Sequence, residues 1–411
     1  MTDSGMESGG VPSAPFGADW NPLAPGELAN PCPFYDKARS EAPVFHSPVL
    51  DMWVVTRYSD VACALGDPQR FSSENTAPNE AANKVAMFLY PGANAVGIDP
   101  PAHERLRAPL EPAFSAPRLA ALEPGIRERA HRIVDTMCQG KQADLVSGLA
   151  SDLPLSTVIA LFGGSQDDLA DFRRYTDAVI SFMTVKMSAD QAAVATANIA
   201  AYHHYLEKLI AAKRAKPGQD LVSDLVTYPS IPPFSDGELI STLTGLIFAG
   251  HPTIRSLISS AALVLLSDRS RWQALLDDRS RIPDTVEEVL RMASPVPTVI
   301  RRVTEDVAMG GVTIPAGARA LIVMASANTD PAHFAGPGEF LPQRPFVQSH
   351  RTFGGGPHMC AGRALARLEA RIAFEVLLER LPGLRLAKGQ AITYLETVVI
   401  RGVSSLLVEW D

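Results

Sequence analysis

The sequence predicts a mainly α fold carrying small β-sheets, built as a single large domain. Three observations predict it. From about residue 119 to 292, apolar residues recur at helical spacing with few interruptions. Outside that stretch the pattern shortens into aromatic and β-branched runs closed by turn residues. No Pro-, Gly- or Ser-rich linker divides the chain after residue 17. A chain of 411 residues can bury roughly three quarters of its unfolded surface.

Residues 1–17 are rich in Gly, Ser and Pro and read as a mobile tail, leaving 18–411 as the folded body. Met52-Trp53-Val54-Val55-Thr56 reads as a strand, with Tyr58-Ser59-Asp60 as the turn after it. Helical spacing covers 119–138, 145–161, 168–182 and 189–213, with breaks at Gly163-Gly164, Lys216-Pro217-Gly218 and the prolines from 229 to 233. Ser235-Asp236-Gly237-Glu238 has the form of a capping box. It opens a helix running to about residue 266, roughly 45 Å long and apolar on nearly every face, hence central and buried. Beyond Val299 come short strands at 303–309, 312–314 and 318–325, separated by Gly310-Gly311 and Pro315-Ala316-Gly317. A last helix over 361–381 stops at Pro382-Gly383, and 397–410 reads as strand.

Composition excludes several function classes. With 37 basic and 45 acidic residues the net charge is -8, opposite to what phosphate neutralisation needs, so no nucleic-acid partner is expected. Cys32, Cys63, Cys138 and Cys360 are scattered without a C-x-x-C pair, which argues against a zinc ribbon or a dithiol and fits a reducing compartment. No signal peptide and no apolar run of about 18 residues is present, so the expectation is a cytoplasmic protein without a membrane span. No G-x-G-x-x-G follows a predicted strand, so no nucleotide-dependent reductase module is expected within the chain.

The sharpest chemical signal is Phe353-Gly354-Gly355-Gly356-Pro357-His358-Met359-Cys360-Ala361-Gly362. Three glycines permit an unusual backbone path, and the cysteine stands directly before a helix, where N–H groups and the helix dipole favour a thiolate. One cysteine cannot build a zinc site, but it can be the single protein ligand of a haem iron. The spacing F-G-x-G-x-H-x-C-x-G resembles the haem-binding signature of the cytochrome P-450 superfamily, the haem-thiolate monooxygenases, and His350 upstream fits it as well. Glu288-Val289-Leu290-Arg291 is similar to the family's E-x-x-R motif. Asn328-Thr329-Asp330-Pro331, with Phe334, Pro337, Phe340 and Arg344, resembles its meander.

The resemblance spans about residues 22–408 and implies the single-domain P-450 fold, with the haem between a long central helix and the helix after the cysteine loop. It implies haem b with an axial Cys360 thiolate, in a loop shaped by Phe353, Gly354 and Gly362. It implies that Glu288, Arg291 and Arg344 form a structural unit. His103 and Arg107 are four apart, so they project together from a helix that follows Asp99-Pro100-Pro101. The resemblance assigns them, with Arg301 and His358, to the haem propionates. Arg302 adjoins Arg301, but a strand sends neighbours to opposite faces, so one of the two should face the cofactor.

Midway along the long helix stands Ala249-Gly250-His251-Pro252-Thr253, where the family pattern is A-G-x-acid-T. By resemblance the small residues leave room for dioxygen and Thr253 assists oxygen activation. The alternative for Thr253 is a hydroxyl bonded to its own helix. Pro252 takes the place of the acid. Proline lacks an N–H and clashes with the carbonyl four residues back, that of Phe248, so a kink or opened turn is expected. His251 titrates near neutrality and is a candidate proton source, but helical phase turns it roughly 200° from Thr253, which favours a structural role. The missing acid points to an enzyme that relies on its substrate to order proton delivery. It also raises a second outcome: oxidative coupling, ring closure or desaturation in place of oxygen insertion.

By resemblance, the substrate pocket draws on Met87, Phe88 and Tyr90; Phe182 and Met183; Leu243, Leu246, Ile247 and Ala249; Val296, Thr298 and Val299; and Thr397 and Val398. Few of these are polar, so the expected substrate is an apolar or aromatic small molecule, in bacterial specialised metabolism. Electrons are expected from a ferredoxin and its ferredoxin reductase, steered by Arg351, Arg363 and Arg367 near the cysteine.

Overall fold

The computed structural model describes residues 15–77, 80–182 and 187–411. Met183 and most of the expected tail lie outside them. Phe16, also expected in the tail, packs against Phe34 and Phe45 with ring centroids 5.7 and 5.1 Å away, so the packed body begins before residue 18.

The N-terminal third alternates short helices and strands. Helices α1 (Pro25–Ala29) and α2 (Cys32–Glu41) each carry proline in the first turn, where its missing N–H has no helical acceptor to serve. They are followed by β1 (Val44–Ser47), β2 (Met52–Val55), α3 (Tyr58–Gly66), β3 (Phe71–Ser72), α4 (Glu80–Leu89) and α5 (Ala102–Arg107). Tyr58-Ser59-Asp60 is thus the first turn of α3 and not a loop. Val61, Ala64 and Leu65 recur at helical spacing there and are buried.

The middle is helical: α6 (Ala116–Met137), then β4 (Gln142–Asp144), α7 (Ser151–Phe162), α8 (Leu169–Ser181), α9 (Ala189–Ala215) and α10 (Leu221–Thr227). The long helix is two helices, α11 (Asp236–Gly250) and α12 (Pro252–Leu266), meeting at His251. The capping box at Ser235 and Glu238 is formed as the sequence suggests. Two further helices follow, α13 (Arg269–Asp277) and α14 (Ile282–Met292).

The last third holds β5 (Thr298–Val303), β6 (Val307–Met309), β7 (Val312–Ile314), β8 (Arg319–Val323), α15 (Met324–Ala327), α16 (Arg363–Arg380), β9 (Arg385–Leu386) and β10 (Leu407–Glu409). Of the strand expected over 397–410 only β10 forms; the preceding residues make a loop closed by a Tyr394–Val403 bridge. The main sheet runs β1-β2-β8-β5-β3 and is antiparallel except between β2 and β8. A small sheet β4-β10-β9 and the hairpin β6-β7 complete the strands among the described residues.

Two large apolar cores flank the central helices. One joins α6, α12, α13, α14 and α16, around residues such as Ile126, Ile258, Trp272, Val289 and Phe374. The other joins α7 to α11, with Phe162, Phe172, Tyr202, Leu206 and Leu243. The break at His251 therefore falls where one core hands over to the other.

Candidate active site

The cysteine loop is seated on the end of α3. Gly354 and Gly356 have φ of +76° and +62°, the left-handed region that glycine enters without strain. A Cβ on Gly356 would lie 2.3 Å from the Leu65 carbonyl oxygen, so the loop touches α3 backbone to backbone. Cys360 N–H donates to the Phe353 carbonyl at 2.9 Å. Arg107 donates to the Met359 carbonyl at 2.8 Å and Arg363 to that of Cys360 at 3.0 Å. Burial pushes the Cys360 thiol up, while the Gly362 N–H and the charges of Arg107, Arg363 and Arg367 pull it down. Burial outweighs them. The helix end expected to make the thiolate does not do so alone; a cation coordinated at the sulfur would.

Behind the loop, the structure brings Glu288, Arg291 and Arg344 together. Glu288 and Arg291 are fully buried and joined by two bonds of 2.8 Å. Arg344 donates to Glu288 Oε1 at 3.2 Å, and the Leu341 N–H does so at 3.0 Å. Arg291 also holds the Asn328 carbonyl at 2.9 Å, and Asn328 reaches Thr352 and the Arg351 N–H at 2.9 and 2.6 Å. One carboxylate thus ties α14 to the meander and, through Asn328, to the cysteine loop.

A second knot escaped the sequence reading. Glu287 accepts two bonds from Arg367, at 2.7 and 2.5 Å, and lies 3.0 Å from His350 Nε2. Although burial opposes ionisation, Arg367 and His350 hold its carboxyl down at about 2. Arg367, expected in a free basic patch, is therefore committed to Glu287 and lies over the Phe353 ring at 4.6 Å. Arg351 lies over Tyr58 at 4.8 Å, and Arg363 remains exposed. The available signal was the doublet itself: neighbours on a helix point about 100° apart, so Glu287 and Glu288 serve different partners.

On the opposite side of the cysteine, His103 and His358 face each other with ring centroids 4.6 Å apart. Both ring nitrogens of His103 are buried without a hydrogen-bond partner among the described residues, while the half-buried His358 has its Nε2 3.5 Å from Asp99 Oδ1. Burial, with Arg107, pushes His103 down; burial, with Arg301 and His103, takes His358 to about 4. Arg301 acts on His358, whereas Arg302 reaches back to the Glu74 carbonyl at 3.4 Å, so β5 does send the two arginines apart. Asp99, read in the sequence only as part of a helix start, is held by Ser72 and the Ser73 N–H at 2.5 and 3.0 Å. Buried donors without acceptors, beside two arginines, form a site for carboxylates. These residues fit a porphyrin bearing two propionates.

At the α11–α12 junction Pro252 has no N–H for the Phe248 carbonyl, and the ladder resumes with Arg255 N–H to the His251 carbonyl at 2.9 Å. His251 is buried against α7, its Nε2 3.0 Å from Ser151 Oγ. Burial and the charges of Arg255 and Arg173 lower it to about 3, so it stays neutral and is no ready acid. Gly250 also faces α7: a Cβ there would lie 2.9 Å from Val158 Cγ2. Its smallness serves helix packing. Thr253 donates to the Ala249 carbonyl at 2.5 Å, the alternative noted above, and Ala249 is exposed.

Residues 45–392 match the family model for Cytochrome P450. The chain belongs to the cytochrome P450 family. It is 34% identical to the cytochrome P450 monooxygenase PikC of Streptomyces venezuelae, over 98% of this chain and 96% of PikC. It is 35% identical to the mycinamicin IV hydroxylase/epoxidase of Micromonospora griseorubida, over 88% and 90%. The Tepidiphilus thermophilus P450 heme domain superposes with a TM-score of 0.89 at 32% identity, over 96% of this chain and 97% of that one. The cofactor of this P450 is haem b with an axial cysteine thiolate, and its activity is that of a monooxygenase.

The pocket candidates of this P450 fall into two groups. Phe88 and Phe182 stand 6.4 Å apart, and Tyr90, Phe182 and Phe248 pack around Leu89, Val179 and Ile199. Met87 is 67% exposed. Leu246 is half-buried against the core of α7 to α11. Thr298, Thr397 and Val398 form the second group; Thr298 donates to the Val398 carbonyl at 2.7 Å. They line a cavity of about 40 Å³ together with Trp20, Tyr35 and Ile400. Val296 and Val299 pack instead against the main-sheet core. Among the described residues no helix is long and apolar enough to cross a membrane.

Proposed function

We propose that this P450 monooxygenates an apolar or aromatic small molecule in bacterial specialised metabolism, with Cys360 as the iron ligand. When bound, haem b supplies the activation of dioxygen. His103, Arg107, Arg301 and His358 hold its propionates and fix its orientation. The Glu288–Arg291–Arg344 and Glu287–His350–Arg367 knots keep the loop at a fixed height. Thr253 stands at the break, its hydroxyl parked on the Ala249 carbonyl and free to turn toward a proton acceptor. The aromatic group around Phe88, Tyr90 and Phe182 and the loop bearing Thr397 and Val398 exclude water and orient an apolar substrate. A ferredoxin, reduced by its ferredoxin reductase, donates electrons at the cysteine face, where Arg363 is the exposed cation.

The observation that carries this reading is the facing pair His103 and His358, with His103 buried and its ring unpartnered among the described residues, beside two arginines and the half-buried Cys360. The relatives' named hydroxylation and epoxidation chemistry supports it. The test is the absorption of the reduced, carbon-monoxide-treated protein: thiolate ligation gives a red-shifted band that Cys360→Ser should abolish. A wild-type protein without that band rules the reading out.

The break at Pro252 raises a second outcome for the same site, oxidative coupling, ring closure or desaturation, in which hydrogen-atom or electron removal from the substrate suffices and no oxygen is inserted. Labelled dioxygen separates them: product mass rises with the label in oxygen insertion and stays constant in coupling.

A further inference from the structure

A hub that the family signature does not include lies in the C-terminal loop. Arg401 donates to the carbonyls of Leu28 and Ala29 at 2.5 and 3.0 Å, and its guanidinium lies over the Tyr394 ring at 5.0 Å. Those carbonyls close α1, and the last carbonyls of a helix have no partner within it. A planar fork of donors from a distant part of the chain supplies one. The Arg401 N–H donates to the Pro295 carbonyl at 2.9 Å. Next to it, Gly402 presses on α12 so closely that a Cβ would lie 2.4 Å from Ser256 Oγ. On the other side of the loop tip, Thr298 holds the Val398 carbonyl. The loop from Tyr394 to Gly402 is thereby fastened to α1, to the segment after α14 and to α12. The cavity of about 40 Å³ lies between it and the N-terminal residues Trp20 and Tyr35.

We infer that Arg401 is a positioning residue for substrate selection. By capping α1 it sets where Thr397 and Val398 stand, so the N-terminal segment from Trp20 to Tyr35 acts on which molecule fits. The inference rests on the pocket assigned under the proposed function. Arg269 provides the internal comparison: it also holds two backbone carbonyls, of Leu384 and Pro382 at 2.8 and 3.0 Å, away from this loop.

The test uses the haem-loaded protein and a fixed panel of neutral probes: a steroid, a monoterpene, an alkylphenol and a long-chain alcohol. Binding is read from the haem spin-state shift, and loop order from amide hydrogen exchange at Leu395 and Thr397, with and without cofactor. Arg401→Ala should re-rank the panel, changing relative affinities at least about fivefold, and speed exchange at both amides. Arg401→Lys should fall between, since it keeps the charge and loses the fork. Arg269→Ala should lower stability without re-ranking. If Arg401→Ala does not fold, Arg401→Lys and Thr298→Val carry the test and must re-rank the panel in the same sense. An unchanged ranking with an intact reduced carbon-monoxide band overturns this inference alone, as does identical behaviour of the Arg401 and Arg269 variants. Absence of that band in the wild type overturns the underlying reading and this inference with it.

Discussion

His103 and Glu288 show how differently two buried polar side chains can be used. The His103 ring has no hydrogen-bond partner among the described residues, so its donor capacity is available to an anion. A hydrogen bond to a charged group contributes about 1.5–3 kcal/mol. His103→Ala should therefore weaken haem retention roughly tenfold or more, measured by transfer to a scavenging globin, with little change in the apoprotein's unfolding. Glu288 is the reverse case, fully used within the chain. Glu288→Gln leaves Arg291 buried with its charge uncompensated, and breaking such a pair costs about 3–5 kcal/mol. Its thermal midpoint should fall even without cofactor. Cys360, His103, Arg107 and the E-x-x-R pair were legible because their spacing is local or matches a long family pattern. Glu287, Asp99 and Arg401 were not, because each finds partners from 27 to 373 residues away and neither spacing nor composition encodes such a meeting.

Among the elements, helices longer than three turns were legible, since a buried stripe must repeat every 3.6 residues whatever it packs against. The short α3 was masked by turn-forming residues in its first turn, and the C-terminal strand pairs over only three positions. The junction of α11 and α12 combines both situations. Proline announced the break, but which way each side chain turned depended on α7. Gly250→Ala should drive a methyl into Val158 and cost about 1–3 kcal/mol, seen in denaturant unfolding. Pro252→Glu restores an N–H for the Phe248 carbonyl and adds an acid one residue before Thr253. Electron use should then couple more tightly to product with poorly fitting substrates, and peroxide release should fall. Unaltered peroxide yield would show that the missing acid does not limit proton delivery.

Across the whole molecule, pH acts through groups whose folded environment opposes their ordinary titration. Glu287 is held at about 2, below its unfolded value near 4.5. It stabilises the fold above about pH 4.5, and that contribution is lost as pH falls toward 2. Glu287→Gln should lower stability at neutral pH by about 2–3 kcal/mol, and the gap should close in acid. Glu369 runs the other way. Buried with Oε1 unpartnered, it is pushed up to about 8, so the folded state holds a proton that the unfolded chain releases. Its cost is absent below about pH 4.5 and grows as pH rises toward 8. Glu369→Gln should raise the unfolding midpoint at pH 8 and leave it nearly unchanged at pH 4.

The pairing of β2 with β8 and of β4 with β10 has a consequence for biosynthesis. Residues 53–55 wait for 320–322, and 142–144 wait for 407–409, before either sheet closes. No growing fragment on the ribosome owns a finished fold, and contacts spanning so much chain form slowly. Porphyrin capture should then wait until residues 407–409 have paired, and truncation just before Leu407 should yield insoluble, colourless protein in place of a weakened enzyme.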